Sequence, residues 1–61
     1  MQYIHSLSHD GEKYVLWRVG EYQYQIQHRD WLSKILPMEY YDALDFFNEF
    51  MDSRREKKQL I

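Results

Sequence analysis

The chain has 61 residues, no cysteine, a formal net charge of −2 and aromatic side chains at 18% of positions. One small domain over residues 1–61 is therefore expected, with no disulfide or thiolate metal site, held by an aromatic core or by self-association. The acidic balance argues against direct binding to free nucleic acid, which rests on Lys and Arg at phosphates, and no apolar run is long enough to span a membrane.

The first strand ends at Asp10-Gly11, a type I′ hairpin signal. A two-residue loop there pairs Leu7 with Tyr14, His5 with Leu16 and Tyr3 with Arg18, and sets Ile4 and Ser6 beside Trp17 and Val15. A bulge would shift that parity. Residues 13–19 follow as a β-branched and aromatic strand. Gly20-Glu21 then suits a two-residue type II′ turn, with Gly supplying the positive φ. Residues 22–28 alternate apolar and polar, so Tyr22, Tyr24 and Ile26 face inward. The turn sets Val19 opposite Tyr22, Trp17 opposite Tyr24 and Val15 opposite Ile26. His28 shares the inward parity and reads as a structural histidine.

Asp30 is placed to cap a short helical turn over residues 31–36. Pro37 biases Leu36 away from helix and suits the first position of a new one. A long helix is expected over residues 37–57, acidic at its start and closed by Arg54, Arg55, Lys57 and Lys58, as the helix dipole prefers. Leu60 and Ile61 should fray. The fold class is thus α+β: a three-stranded antiparallel meander packed on one C-terminal helix, with a short helix at 31–36.

At about 100° per residue, Tyr40, Ala43, Leu44, Phe46, Phe47, Phe50 and Met51 share an apolar arc of that helix. Asp42, Asp45, Glu49 and Asp52 form a stripe on the other side, with Glu39 at its head, and residues 39–52 contain no Lys or Arg. Like charges at i+3 and i+4 cost about 0.2–0.5 kcal/mol per pair, which an interleaved Lys would have relieved. The stripe is either a solvated back or a complement to a basic groove. If the helix covers Val15, Trp17 and Tyr24, the opposite sheet face presents Tyr3, His5, Leu7, Tyr14, Leu16 and Arg18, more apolar surface than a small monomer leaves wet. That face reads as a partner or homodimer interface.

Chemistry-bearing patterns are missing. His5, His9 and His28 lack the HExxH spacing, no acid completes a triad with Ser6, Ser8 and His9, and Gly11 and Gly20 form no phosphate loop. No cofactor or metal is expected. The reading is a cytoplasmic, non-enzymatic binding protein, an inhibitor or modulator of a nucleic-acid-handling protein with a basic groove. In size and style the layout is similar to the small accessory proteins of phages and mobile elements, anti-defence proteins among them, though no motif carries the likeness. The alternatives are a DNA-binding regulator using Lys13, Tyr14, Arg18 and the basic tail, and a structural subunit of a larger assembly.

Overall fold

The computed structural model describes residues 1–59, with side chains described as far as Arg54. The elements in chain order are β1 (Gln2–His9), β2 (Glu12–Gly20), β3 (Gln23–His28), β4 (Trp31–Leu32), β5 (Leu36–Pro37) and α1 (Tyr40–Gln59). The strands form one antiparallel sheet in the order β1-β2-β3-β4, with β5 also paired to β3, and α1 packs on one face. This is the expected α+β architecture with a broken fourth strand added at one edge. The expected fraying of Leu60 and Ile61, and the side chains of Arg55, Lys57 and Lys58, lie outside the described residues.

The β1–β2 hairpin forms as its turn chemistry demands. Asp10 and Gly11 take φ of 55° and 76°, the left-handed pair of a type I′ loop. His9 pairs with Glu12, Leu7 with Tyr14 and His5 with Leu16. The register then slips at Ile4, so Tyr3 meets Trp17 rather than Arg18, while Ile4 packs against the core.

The second hairpin differs from expectation in a way that inverts β2. The loop is Glu21-Tyr22, Gly20 does not take a positive φ, and Gly20 pairs with Gln23. An irregularity at Val19 then sets Arg18 opposite Tyr24, Leu16 opposite Ile26 and Val15 opposite Gln27. That is one residue away from the register of a Gly20-Glu21 turn, and a one-residue slip carries every side chain of a strand to the other face. The physical reason lies in the composition of the two faces. β2 is apolar on both sides, so its own pattern does not choose. Its neighbours do, because Leu7 and Ile26 lie across from Tyr14 and Leu16, whereas Ser6 and Gln27 flank Val15.

No short helix forms over residues 31–36. Arg29, at φ 54°, and Asp30 make a tight turn instead, and His28 pairs with Trp31 and Gln27 with Leu32. Ser33 then holds the chain extended. Its N–H donates to the Ile26 carbonyl at 2.9 Å, its Oγ accepts from the Ile26 N–H at 2.9 Å, and its carbonyl accepts from Gln25 Nε2 at 2.9 Å. Past a break, Leu36 pairs with Tyr24 and Pro37 with Gln23. Proline fits here because an edge strand does not need its missing N–H. Pro37 is thereby a strand residue, and Met38 N–H donates to the Tyr22 carbonyl at 3.1 Å. The helix accordingly begins at Tyr40, with Ala43 N–H bonded to the Glu39 carbonyl at 2.9 Å.

The core comprises Tyr14, Leu16, Tyr24, Ile26, Ala43, Phe47 and Met51. Ala43, Phe47 and Met51 recur every four residues, one stripe of α1 laid on the sheet. At one end Tyr14 stacks on His28, with centroids 4.2 Å apart, and Phe50 stacks on Trp31 at 6.2 Å. The Arg54 guanidinium lies 4.5 Å from the Phe50 ring centre and 5.4 Å from that of Tyr14, within cation–π range. His28 follows the inward parity and stacks in this cluster, but the hydrogen-bonded histidine expected there is not found at Nε2, which is buried without a hydrogen-bond partner among the described residues.

Beside this cluster Glu12 pairs with Arg29, and His28 Nε2 lies 3.5 Å from the same carboxylate without a hydrogen bond to it. The hydrogen bond from Arg29 holds the Glu12 carboxyl below the usual carboxylate range. A folded-state pKa below the unfolded one stabilises the fold above the unfolded value, and that contribution is lost as pH falls through the lower folded value. Thermal melts over an acid pH series are therefore expected to show a steeper loss of stability for the natural chain than for Glu12→Gln. Superimposable pH profiles would remove Glu12 from this role.

Candidate interaction surfaces

The acidic stripe is displayed in full. Asp42, Asp45, Glu49 and Asp52 are all exposed, on the side of α1 turned away from Ala43, Phe47 and Met51, and Glu39 is exposed just before the helix. Asp42 lies in the first turn, where the helix dipole favours an acid; Glu49 and Asp52 gain nothing from it. Asp42, Asp45 and Glu49 form no ion pair with any described residue. Arg54, the first cation after the stripe, is turned to the core side and engaged over Phe50 and Tyr14. Two exposed aromatic residues border the acids. By helical angle Tyr41, 77% exposed, lies on one flank and Phe46, 38% exposed, on the other.

By spacing Tyr40 and Phe46 belong to the apolar arc, yet they are 42% and 38% exposed, and Tyr41 lies outside it. The arc is wider than the sheet that receives it, so its margin at Phe46 stays wet. The only sequence signal for this is the distance of Phe46 from the Ala43-Phe47-Met51 line.

The expected apolar sheet face is largely dismantled by the β2 register. Tyr14 and Leu16 are in the core beneath α1, 6% and 0% exposed, and are not available to a partner. Leu7 is half-buried against the same core. His5 is exposed but on the helix side, its ring edge-to-face with Phe47 at 6.2 Å. Arg18 closes the β2–β3 turn, donating from Nη2 to the Glu21 carbonyl at 2.8 Å and from Nε to the Gly20 carbonyl at 3.3 Å. Tyr3 alone of the six stays on the uncovered face, where it meets Trp17 edge-to-face at 6.1 Å.

The larger side chains that do line the uncovered face include Tyr3, Val15, Trp17, Gln25, Gln27 and Leu32, with Ser6 and Ser8 toward its β1 edge, by their register. Trp17 Nε1 donates to Gln27 Oε1 at 2.7 Å. This face carries as many apolar or aromatic side chains as the expected one, but different ones, and is knitted by amide hydrogen bonds. The burial of Tyr14 and the engagement of Arg18 also remove two of the side chains on which a groove-reading sheet would depend.

An open depression of about 320 Å³ lies among Met1, Gln2, Arg18, Gly20 and Glu21, beside the engaged Arg18 guanidinium. Among the described residues no group of His, Asp and Glu is arranged to hold a metal ion, and no helix is long and apolar enough to cross a membrane. Comparison with family models, with curated proteins and with solved structures finds no match. The stripe on α1 with its two aromatic flanks is therefore the candidate site on the strength of its own geometry.

Proposed function

We propose that this chain is a small non-enzymatic binding protein that docks on a larger protein through α1, acting as an inhibitor or modulator at a basic, nucleic-acid-handling groove. The observation that carries the reading is the display of Asp42, Asp45 and Glu49 on one exposed helix side with no ion pair to any described residue, Asp52 continuing the same side. Consecutive acids stand about 4.5–6 Å apart along the axis at 1.5 Å per residue, a continuous negative edge for a row of Lys and Arg. Such an edge steers association and disfavours acidic partners, while Tyr41 and Phe46 supply apolar contact beside it.

The test is capture from the native cell with the tagged chain and with a double variant, Asp45→Lys with Glu49→Lys. Both positions are exposed, so circular dichroism should show an unchanged fold. The natural chain is expected to retain a nucleic-acid-binding protein whose recovery falls steeply with salt. The variant should retain it at least about tenfold less well, a shift of roughly 1.4 kcal/mol. Equal recovery by both forms, insensitive to salt, would refute docking through the stripe.

A further inference from the structure

The two edges of the sheet are unlike. The β4–β5 edge is broken between Leu32 and Leu36 and ends on Pro37, which has no N–H to offer. Breaks and proline are devices that stop an edge from recruiting another strand. The β1 edge has no such protection past its bulge at Ile4. Among the described residues β1 pairs with β2 alone, and residues 2–9 contain no Lys, Arg, Asp, Glu or Pro.

Hydrogen-bond parity identifies the groups left over. In a two-residue type I′ hairpin the closing pair, here His9 with Glu12, exchanges both backbone bonds. Alternation then makes Leu7–Tyr14 and His5–Leu16 the next bonded pairs. The N–H and C=O groups of Ser6 and Ser8 consequently point away from β2, along the outer edge. The same parity carried across the sheet turns Ile26 toward β4, where Ser33 does bond to both its backbone groups.

We propose that β1 is the seam of a homodimer. Two copies pair antiparallel along this edge about a two-fold axis at Leu7, with Ser6 of one protomer opposite Ser8 of its partner. In this register every outward N–H and C=O of Ser6 and Ser8 finds a complement, which a self-complementary edge requires. Leu7, half-buried at the margin of the core, meets its own copy at the close spacing of a non-hydrogen-bonded pair. The small hydroxymethyl groups of Ser6 and Ser8 leave the uncovered face free of crowding.

A second copy suits this edge better than a charged partner, because the strand brings no formal charge to the seam. Each copy carries a net charge of −2, but its acidic stripe lies on the side of α1 turned from the sheet. Pairing therefore leaves both stripes displayed.

The test is sedimentation equilibrium of the full chain from micromolar to millimolar concentration, with amide hydrogen exchange at both ends of the range. The apparent mass should rise from 7.7 kDa toward twice that value. The Ser6 and Ser8 amides should gain protection with concentration, while those of Leu7 and His9, already bonded to β2, should not. Ser8→Lys puts a charge on the seam and Ser8→Pro removes an outward donor; each should weaken association by about tenfold or more with an unchanged far-ultraviolet spectrum. If the proline variant fails to fold, the lysine variant carries the comparison. A chain that stays monomeric at millimolar concentration overturns the proposal. So does a dimer whose Ser6 and Ser8 amides exchange as they do in the monomer, since its seam would lie elsewhere.

Discussion

Phe47→Ala is expected to cause the largest loss of folding stability of any single truncation in this chain, about 3–5 kcal/mol. Phe47 is fully buried at the centre of the contact between α1 and the sheet, with Ala43 one turn before it and Met51 one turn after. Truncating a buried Phe costs about 3–5 kcal/mol through lost transfer energy and the cavity left behind. At roughly 0.05–0.15 kcal/mol per residue, a domain of this length holds only about 3–9 kcal/mol in total. With no disulfide there is no covalent constraint to make up the difference. Urea titration followed by circular dichroism gives the comparison. Phe46→Ala is the control, because Phe46 is 38% exposed and its loss should cost less than about 1 kcal/mol. A Phe47→Ala midpoint close to that of the control would mean that α1 rests on the sheet by a different line of residues.

The second large effect tests the register of β2. Leu16 is fully buried beneath α1 opposite Ile26, and Leu16→Ala should cost about 2–5 kcal/mol. Its neighbour Val15 lies on the uncovered face opposite Gln27, only half-buried, and Val15→Ala should cost about 1 kcal/mol, the ordinary size for a substitution outside the core. A hairpin closed by Gly20-Glu21 would reverse that order, since it would turn Val15 under the helix and Leu16 to solvent. Denaturant unfolding of the two variants therefore decides between registers one residue apart. An equal or larger cost at Val15 would refute the arrangement described here.

Both surfaces considered for binding depend on these packing relations. The stripe on α1 is displayed because Ala43, Phe47 and Met51 dock on the sheet and leave the opposite side of the helix free. The β1 edge has no second strand partner among the described residues, while the far edge is closed by a broken strand ending in proline. Docking through α1 and pairing through β1 use separate surfaces. The charge reversal at Asp45 and Glu49 should accordingly leave self-association intact, and Ser8→Lys should leave partner capture intact.

Elements governed by local chemistry were legible in the sequence. Asp10-Gly11 specifies a type I′ turn because the loop needs two left-handed residues, and the pairs next to it follow from loop length alone. The alternation of residues 23–28 fixes which side of β3 is apolar through Tyr24 and Ile26, whereas Tyr22, expected to face inward with them, is 58% exposed because the shifted turn takes it into the loop. The spacing of Ala43, Phe47 and Met51 fixes the buried side of α1. That spacing also leaves the acids outside, so the candidate site on the helix was readable before any fold was known. The homodimer read from the sheet face was not readable in the same way, because it rested on a parity that the chain does not adopt.

Contacts between distant segments settled the remaining features. β2 is apolar on both faces, and a bulge at Val19 together with the neighbours Leu7 and Ile26 selected Tyr14 and Leu16 for the core. Residues 31–37 carry signals for a helix start and for a helix break, and the backbone groups of β3 outweighed both. An unpaired sheet edge offers a row of donors and acceptors to whatever segment follows, and Ser33 could satisfy Ile26 on both sides while Asp30 could cap only a single turn of helix. Local chemistry specifies the turn, the alternation and the helix face, because each is set by residues a few positions apart. Which face of β2 lies inward and where the helix begins were determined by the balance of contacts between distant segments, which no local pattern encodes.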